Sequence, residues 1–213
     1  MPDVILPVLD ERESIPWVLE RMPRGFHPIV VDNGSVDGSG PLAERLGAQV
    51  VREPHRGFGA ACFAGLLASR DDIVAFMDCD GSLDPRCLPS VTRAVETNEA
   101  DLVLGYRVPE AGAWPLHARV ANRFLAREAR RRAGVRVRDI GPMRAALRES
   151  LVGLTLRDRG FAWPLEMVLR AGWAGWRVAE VPVPYLRRNG RSKVSGSIVG
   201  SARAARDMAR ALL

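Results

Sequence analysis

The chain has 213 residues, 47% of them apolar and 26% charged, with a formal net charge of +6. That suffices for one domain with a sizeable core, and no apolar stretch approaches the roughly 18 to 20 residues of a membrane-crossing helix. Cys62, Cys79 and Cys87 are odd in number and lack zinc-ligand spacing, which argues against a disulfide framework and fits a reducing cytoplasm. Asp3 precedes the first apolar run and no basic leader does, so no signal peptide is expected.

The elements follow in a regular order. Val4 to Leu9 reads as a strand, then a polar loop Asp10 to Ser14, then a helix from Ile15 to about Met22 with Pro16 in its first turn. Pro28 to Val31 is a second strand, ending in Asp32-Asn-Gly-Ser-Val-Asp-Gly38. A helix from about Gly40 to Leu46 leads to a third strand, Ala48 to Arg52. Arg56-Gly-Phe-Gly59 opens a small-residue helix running to about Ser69. Ile73 to Met77 is a fourth, fully apolar strand, and a helix from Pro85 to about Thr97 leads to a fifth, Leu102 to Gly105. Repeated strand and helix with short connections predicts a mainly parallel sheet covered by helices on both faces.

The pattern changes after Arg107. Pro109 to Pro115 is a loop. Leu116 to about Ala133 is an amphipathic helix with Val120, Ala121, Phe124, Leu125 and Ala129 on one face and Arg119, Arg123, Arg127 and Arg130 on another. Arg138 to Arg144 is an irregular loop feeding a short strand, and Trp163 to Gly172 is helical. Arg177 to Tyr185, interrupted by Pro182 and Pro184, suits an edge strand. A basic loop, Arg187 to Gly196, precedes a last helix from about Ser197 to Leu213, with no membrane-spanning segment expected after it.

Charge divides the chain. Residues 1–106 hold 9 Lys/Arg and 17 Asp/Glu, a net of −8. Residues 107–213 hold 22 and 8, a net of +14. An acidic half suits a metal and sugar hydroxyls; a basic half suits phosphate or an anionic membrane surface. The aromatics do not interleave with the arginines as a single-strand platform requires, so nucleic acid is not an expected partner.

Asp78 and Asp80 end the fourth strand one residue apart. In an open parallel sheet that edge binds ligands, and two carboxylates on one turn call for a cation between them, a hard divalent ion with a diphosphate being the natural partner. The simpler alternative is a helix-capping turn. Asp10, Glu11 and Asp32 stand at two further strand tips, which suits a ligand rich in donors such as a nucleoside. Arg56, Gly57 and the following amides offer a cation and N–H groups for a diphosphate.

Taken together, Pro7-Val-Leu-Asp-Glu11, Val30-Val-Asp-Asn-Gly-Ser-Val-Asp-Gly38, Arg52-Glu-Pro-His-Arg-Gly-Phe-Gly-Ala-Ala61, Asp78-Cys-Asp-Gly-Ser82, Leu102-Val-Leu-Gly-Tyr-Arg107, Gly141-Pro-Met-Arg-Ala145, Trp163-Pro-Leu-Glu-Met167 and Gly190-Arg-Ser-Lys-Val194 make the chain resemble a family 2 glycosyltransferase of the GT-A fold, in the dolichyl-phosphate mannose synthase-like branch. The resemblance implies one α/β domain over 1–213, with 1–106 the nucleotide-sugar half and 107–213 a basic acceptor-side half. It implies that Pro7, Leu9, Asp10, Glu11, Asp32, Asn33, Arg56, Gly57 and Asp78 bind the nucleotide sugar. Asp80, with Asp78, would hold Mg²⁺ or Mn²⁺, and Arg144, Arg191, Ser192 and Lys193 would meet the acceptor and phosphates. Asp10, Asn33 and Ser82 depart from residues common in that branch (Asn, Asp and Gln), which leaves the base and sugar open.

The expected reaction is inverting transfer of a hexose from a UDP- or GDP-sugar to a polyprenyl phosphate, at the cytoplasmic side and peripheral to an anionic membrane. A phosphate acceptor needs little base help, because it is already ionised; a hydroxyl acceptor needs a base. Asp139 and Glu166 are the candidates, against a turn role for the first and an ion pair with Arg170 for the second. Transfer to a hydroxyl, a sugar nucleotidyltransferase and a non-catalytic nucleotide-binding module are the alternatives; the nucleotidyltransferase would want a glycine- and lysine-rich loop where Leu9 to Glu13 stands.

Overall fold

A computed structural model describes residues 1–188, 206–209 and 212. Seven strands form one sheet: β1 (Asp3–Val8), β2 (His27–Asp32), β3 (Gln49–Arg52), β4 (Ile73–Phe76), β5 (Leu102–Pro109), β6 (Arg144–Leu147) and β7 (Val178–Tyr185). The spatial order is β3-β2-β1-β4-β6-β5-β7. β3, β2, β1 and β4 run parallel, as do β5 and β7, while β6 lies antiparallel between β4 and β5. The sheet is therefore mostly parallel, as expected, with one reversed strand that periodicity did not announce.

Helices α1 (Ile15–Glu20), α2 (Ser39–Arg45), α3 (Phe58–Ala68), α4 (Leu88–Glu96), α5 (Leu116–Ala133), α6 (Arg148–Gly153) and α7 (Trp163–Trp173) cover both faces. Alternation along the strands makes two cores. Ile5, Ile29, Val31, Val74 and Phe76 pack with α3, α5 and α7; Val4, Leu6, Val8, Val30 and Ala75 pack with α1, α2 and α4. None of the helices among the described residues is long and apolar enough to cross a membrane.

Three expectations need correction. β5 runs on to Pro109, because β7 pairs with it along its whole length, from Leu102↔Val178 to Pro109↔Tyr185. The helix placed at Pro85 begins as a 3₁₀ turn, Pro85–Cys87, capped by the Asp84 carboxylate, and becomes α-helical at Leu88. α5 has the expected bounds but a different packed face: Asn122, Leu125, Ala126 and Ala129 are buried, whereas Val120 and Phe124 are exposed. β7 is an edge strand, which tolerates Pro182 and Pro184. Most of the basic loop and of the last helix lies outside the described residues; 206–209 are helical.

α3 approaches the sheet closely through Gly65. A Cβ there would come within 2.4 Å of Ile5 Cγ2 and 3.0 Å of Val31 Cγ2. Replacing Gly65 by alanine therefore adds a methyl where β-branched chains leave no space. Helix propensity would favour alanine by about 1 kcal/mol, but overpacking of about 1–3 kcal/mol opposes it. Gly65→Ala is expected to be net destabilising, by about 1 kcal/mol, in urea unfolding; an unchanged or raised midpoint would show that α3 can lift off β1 without cost.

Candidate active site

The parallel run β2-β1-β4 sets the acidic strand tips side by side. Val8 pairs with Asp32 across β1 and β2, and Ile5 with Phe76 across β1 and β4. The features at Asp10 and Glu11, at Asp32, and at Asp78 and Asp80 thus converge on one sheet edge, with Pro7 and Leu9, both half-buried, leading into it.

On the β1–β2 side, carboxylates shape loops. Asp32 Oδ1 accepts from the Ser35 amide at 2.8 Å, and Asp10 Oδ1 accepts from the Val36 amide at 2.8 Å. Asp10 sits at φ +51°, a left-handed backbone that side chains other than glycine rarely adopt and that clusters at functional sites. Gly40 leaves room for Asp32, whose Oδ2 would lie 2.5 Å from a Cβ there. Buried Asn33 uses both ends of its amide: Nδ2 donates to the Glu53 and His55 carbonyls, and Oδ1 accepts from the Gly57 amide at 2.8 Å. A carboxylate at this position would face two carbonyls with no proton to offer, which accounts for asparagine in this chain.

The start of α3, expected to be a phosphate cradle, is closed by the chain itself. The Gly59 amide donates to Gly160 O and the Ala60 amide to Arg159 O, both at 2.9 Å, and the Gly57 amide is held by Asn33. A Cβ on Gly57 would lie 2.1 Å from the Arg159 carbonyl, so glycine serves this packing. Arg56 donates to Gly34 O at 2.9 Å and keeps an exposed side chain.

On the β4 side the charges are dense. Asp80 is buried; its Oδ1 accepts from the Ser82 amide at 2.9 Å and hydroxyl at 2.5 Å. Its Oδ2 lies 3.2 Å from the Arg188 guanidinium, which also reaches Glu11 Oε1 at 3.4 Å. Burial and then the neighbouring Asp80 charge push Asp78 up to about 7, against the pull of Arg107, Arg188 and Arg144. Arg107, from β5, is gripped by Asp139 through Nε at 2.8 Å and Nη2 at 2.6 Å, and lies 3.8 Å over the Trp114 ring. Asp139 is 2% exposed and also accepts from the Arg107 amide at 2.8 Å. Tyr185 closes this side; burial, then Asp80, raises its hydroxyl pKa.

Arg144 is not a surface cation. It lies in β6, 1% exposed, with its guanidinium donating to the Gly141 and Pro164 carbonyls. Burial lowers it to about 10, with Cys62 and Asp78 pulling the other way. Glu166 takes the Arg157 amide at 3.0 Å, the Asp158 amide at 2.7 Å and Arg170 Nε at 2.6 Å. It thereby holds the 157–160 turn that closes α3. Arg191, Ser192 and Lys193 lie outside the described residues. Sequence pattern alone assigns no role to Arg107, Tyr185 or Arg188, which the structure brings to this edge. The signal for Arg107 was available, because it follows the apolar run of β5 as Asp78 follows that of β4.

The Glycosyl transferase family 2 model matches residues 3–153. The chain belongs to that family. This glycosyltransferase is 48% identical over 200 residues to an uncharacterized glycosyltransferase of Mycobacterium tuberculosis, covering 93% of this chain and 91% of that one. It is 34% identical over 219 residues to the undecaprenyl-phosphate mannosyltransferase of Micrococcus luteus, covering 93% and 89%. It is 34% identical over 220 residues to the polyprenol monophosphomannose synthase of Mycolicibacterium smegmatis, covering 93% and 83%. These relatives support the dolichyl-phosphate mannose synthase-like branch. Glucosyl-3-phosphoglycerate synthase of M. tuberculosis, solved with Mn²⁺, UDP and its product, superposes with a TM-score of 0.78 at 24% identity over all of this chain and 78% of that one, and shares the fold.

Two outcomes test this site. Glu166→Gln presents an amide N–H₂ to donors that a carboxylate satisfied; it should lower stability by about 1–3 kcal/mol in urea unfolding while turnover falls less than about tenfold. A loss of about 10² to 10⁴ at intact stability would instead mark a general base. For Asp78, a pKa near 7 against about 3.9 unfolded means that the folded state holds the extra proton between those values, so stability falls as pH rises through that window. Asp78→Asn removes the effect. Wild type should therefore lose more stability than Asp78→Asn between pH 5 and pH 8, and parallel pH profiles would contradict the assignment.

Proposed function

We propose that this glycosyltransferase moves a hexose from a nucleoside diphosphate sugar to a polyprenyl phosphate, with inversion. The observation that carries the reading is the engagement of both candidate bases: Asp139 is chelated to Arg107 and Glu166 is consumed by the 157–160 turn and Arg170. A phosphate monoester arrives already ionised, and a single displacement by its oxygen inverts the anomeric carbon. Arg107 and Arg188 bring positive charge to where phosphates would meet, and Asp139 orients Arg107. The two relatives at 34% identity, whose names specify polyprenyl phosphate or polyprenol phosphate chemistry, support the same acceptor.

Pro7, Leu9, Asp10, Glu11, Asp32 and Asn33 frame the nucleoside side. Asp80 and Asp78 would hold Mg²⁺ or Mn²⁺. The donor set fits: the site already accommodates a cation, the Arg188 guanidinium, between Asp80 and Glu11. Among the described residues no three ligating side chains cluster, as suits an ion whose remaining ligands are substrate phosphate and water. The ion's contribution when bound is to neutralise the leaving diphosphate. Arg191, Ser192 and Lys193 keep their proposed phosphate role from the sequence alone.

The test is a screen of labelled GDP- and UDP-hexoses with Mg²⁺ or Mn²⁺, offering undecaprenyl phosphate beside small hydroxyl acceptors. Label should pass to the lipid fraction in a mild-acid-labile linkage. Label passing to hydroxyl acceptors instead would overturn the reading. Asp80→Asn should fold normally and lose at least about 10² in turnover, and activity near wild type would remove the metal assignment.

A further inference from the structure

Two consecutive arginines follow β7 and part company. Arg187 is exposed and donates through Nε and Nη2 to the Ala111 carbonyl, at 3.3 and 3.1 Å. Arg188 turns inward, its side chain 26% exposed. Its Nη2 lies 3.2 Å from Asp80 Oδ2 and 3.4 Å from Glu11 Oε1. Two backbone contacts place it there. The Leu186 amide donates to the Ser82 carbonyl at 2.9 Å, and Tyr185 bridges antiparallel to Leu83. Ser82 also gives its amide and its hydroxyl to Asp80 Oδ1. One residue thus fastens both the carboxylate and the segment that carries the arginine.

This guanidinium is only half used. Nη2 reaches two carboxylates, whereas Nε is buried and has no acceptor among the described residues. A buried donor without a partner is costly, and the arginine fork of Nε and Nη2 matches two oxygens of one phosphate. Asp80 is constrained in turn. With Oδ1 engaged by Ser82, the oxygen turned to a cation is Oδ2, and that is the oxygen beside Arg188. Arg188 and a divalent ion therefore call on the same oxygen, and their like charges oppose joint occupancy. Arg107 cannot play this part, because its own fork is spent on Asp139.

We propose that Arg188 couples metal binding to diphosphate binding: in the free enzyme it neutralises Asp80 and Glu11 and keeps Asp80 from a divalent ion, and it yields Asp80 Oδ2 when a nucleoside diphosphate brings oxygens to its Nε–Nη2 fork. The inference rests on the reading that Asp80 holds the metal, and adds the residue that decides when it does so. Arg188 is on this account a positioning residue. By linkage the effect is mutual, so metal and diphosphate each tighten the binding of the other. An ion alone then loads the site poorly, and the carboxylates are never left without positive charge.

The experiment is titration of the full chain with Mn²⁺, read by electron paramagnetic resonance, first without nucleotide and then with UDP or GDP. The wild type should bind Mn²⁺ alone weakly. Arg188→Gln should bind it about tenfold more tightly, because the competing cation is gone, and should bind UDP or GDP in saturating Mn²⁺ about fivefold more weakly. Arg187→Gln removes the same charge one residue away and should leave Mn²⁺ affinity as in wild type. Asp80→Asn combined with Arg188→Gln should lose the gain. Arg188→Gln also exposes Glu11, Asp78 and Asp80 to one another, so its urea midpoint is read as well: it should fall without ion and recover with Mn²⁺, whereas the wild-type midpoint should respond little to Mn²⁺ alone. Equal Mn²⁺ affinity in wild type and Arg188→Gln, lost in Asp80→Asn, would overturn the inference and leave the metal assignment standing. A gain matched by Arg187→Gln would overturn it as an effect of general charge. Absence of saturable Mn²⁺ binding in every form, with UDP and GDP present, would overturn the metal assignment and the inference with it.

Discussion

Everything at this sheet edge answers to the repulsion between Asp78 and Asp80. Two carboxylates at the end of a buried strand are tolerated only with positive charge around them, and Arg107, Arg144 and Arg188 supply it. Each arginine needs its own fixing. Arg107 is held by Asp139, whose amide is held by the Glu180 carboxylate at 3.1 Å. Arg144 is held by two carbonyls. Breaking a buried charge pair costs about 3–5 kcal/mol, which protects above all the Arg107–Asp139 pair, the most deeply buried of these. The centre gives way more easily to exchange of one cation for another.

The sheet order explains how this balance arises from so uneven a chain. The acidic half builds β1 to β4, and Asp10, Glu11, Asp32, Asp78 and Asp80 lie at or just beyond the C-terminal tips of β1, β2 and β4. The basic half contributes the end of β5 and all of β6 and β7, and Arg107 of β5, Arg144 of β6 and Arg188, three residues past β7, approach from the other side. The division at residues 106 and 107 falls inside β5, so the two halves share one sheet. The halves, of formal charge −8 and +14, meet in ion pairs at both ends of β5: Arg188 with Glu11 and Asp80 at the site, and Arg177 with Asp101 at the far end.

Much of this was legible beforehand. Strand alternation, the Asp-x-Asp turn and the bounds of α5 follow from local patterns that the structure keeps. What was not legible depended on long-range pairing. Four residues, Arg144 to Leu147, give no sign that they will lie antiparallel inside a parallel sheet. Arg144 reads as a loop cation because only tertiary packing buries it. Glu166 reads either as a candidate base or as the partner of Arg170 four residues on; the ion pair is there, but its further partners at 157 and 158 are placed by a turn that helical spacing does not show. The apolar residues of α5 were read as one face, although Val120 and Phe124 belong to solvent and Leu125 and Ala129 to the core. Periodicity finds an amphipathic helix but does not say which of two apolar arcs faces inward.

The turn at 157–160 has a consequence for the order in which the protein can form. It supplies the carbonyls that close the amides of α3, a helix about 100 residues earlier, and Trp163 just beyond it packs on Phe76 of β4 with ring centroids 4.8 Å apart. A nascent chain that has emerged as far as residue 153, the end of the family match, holds the acidic strands but neither that closure nor Arg188. Its Asp80 has no Arg188 beside it, and two α3 amides lack partners. Because the two halves share one sheet, cooperative folding waits for the basic half to leave the ribosome.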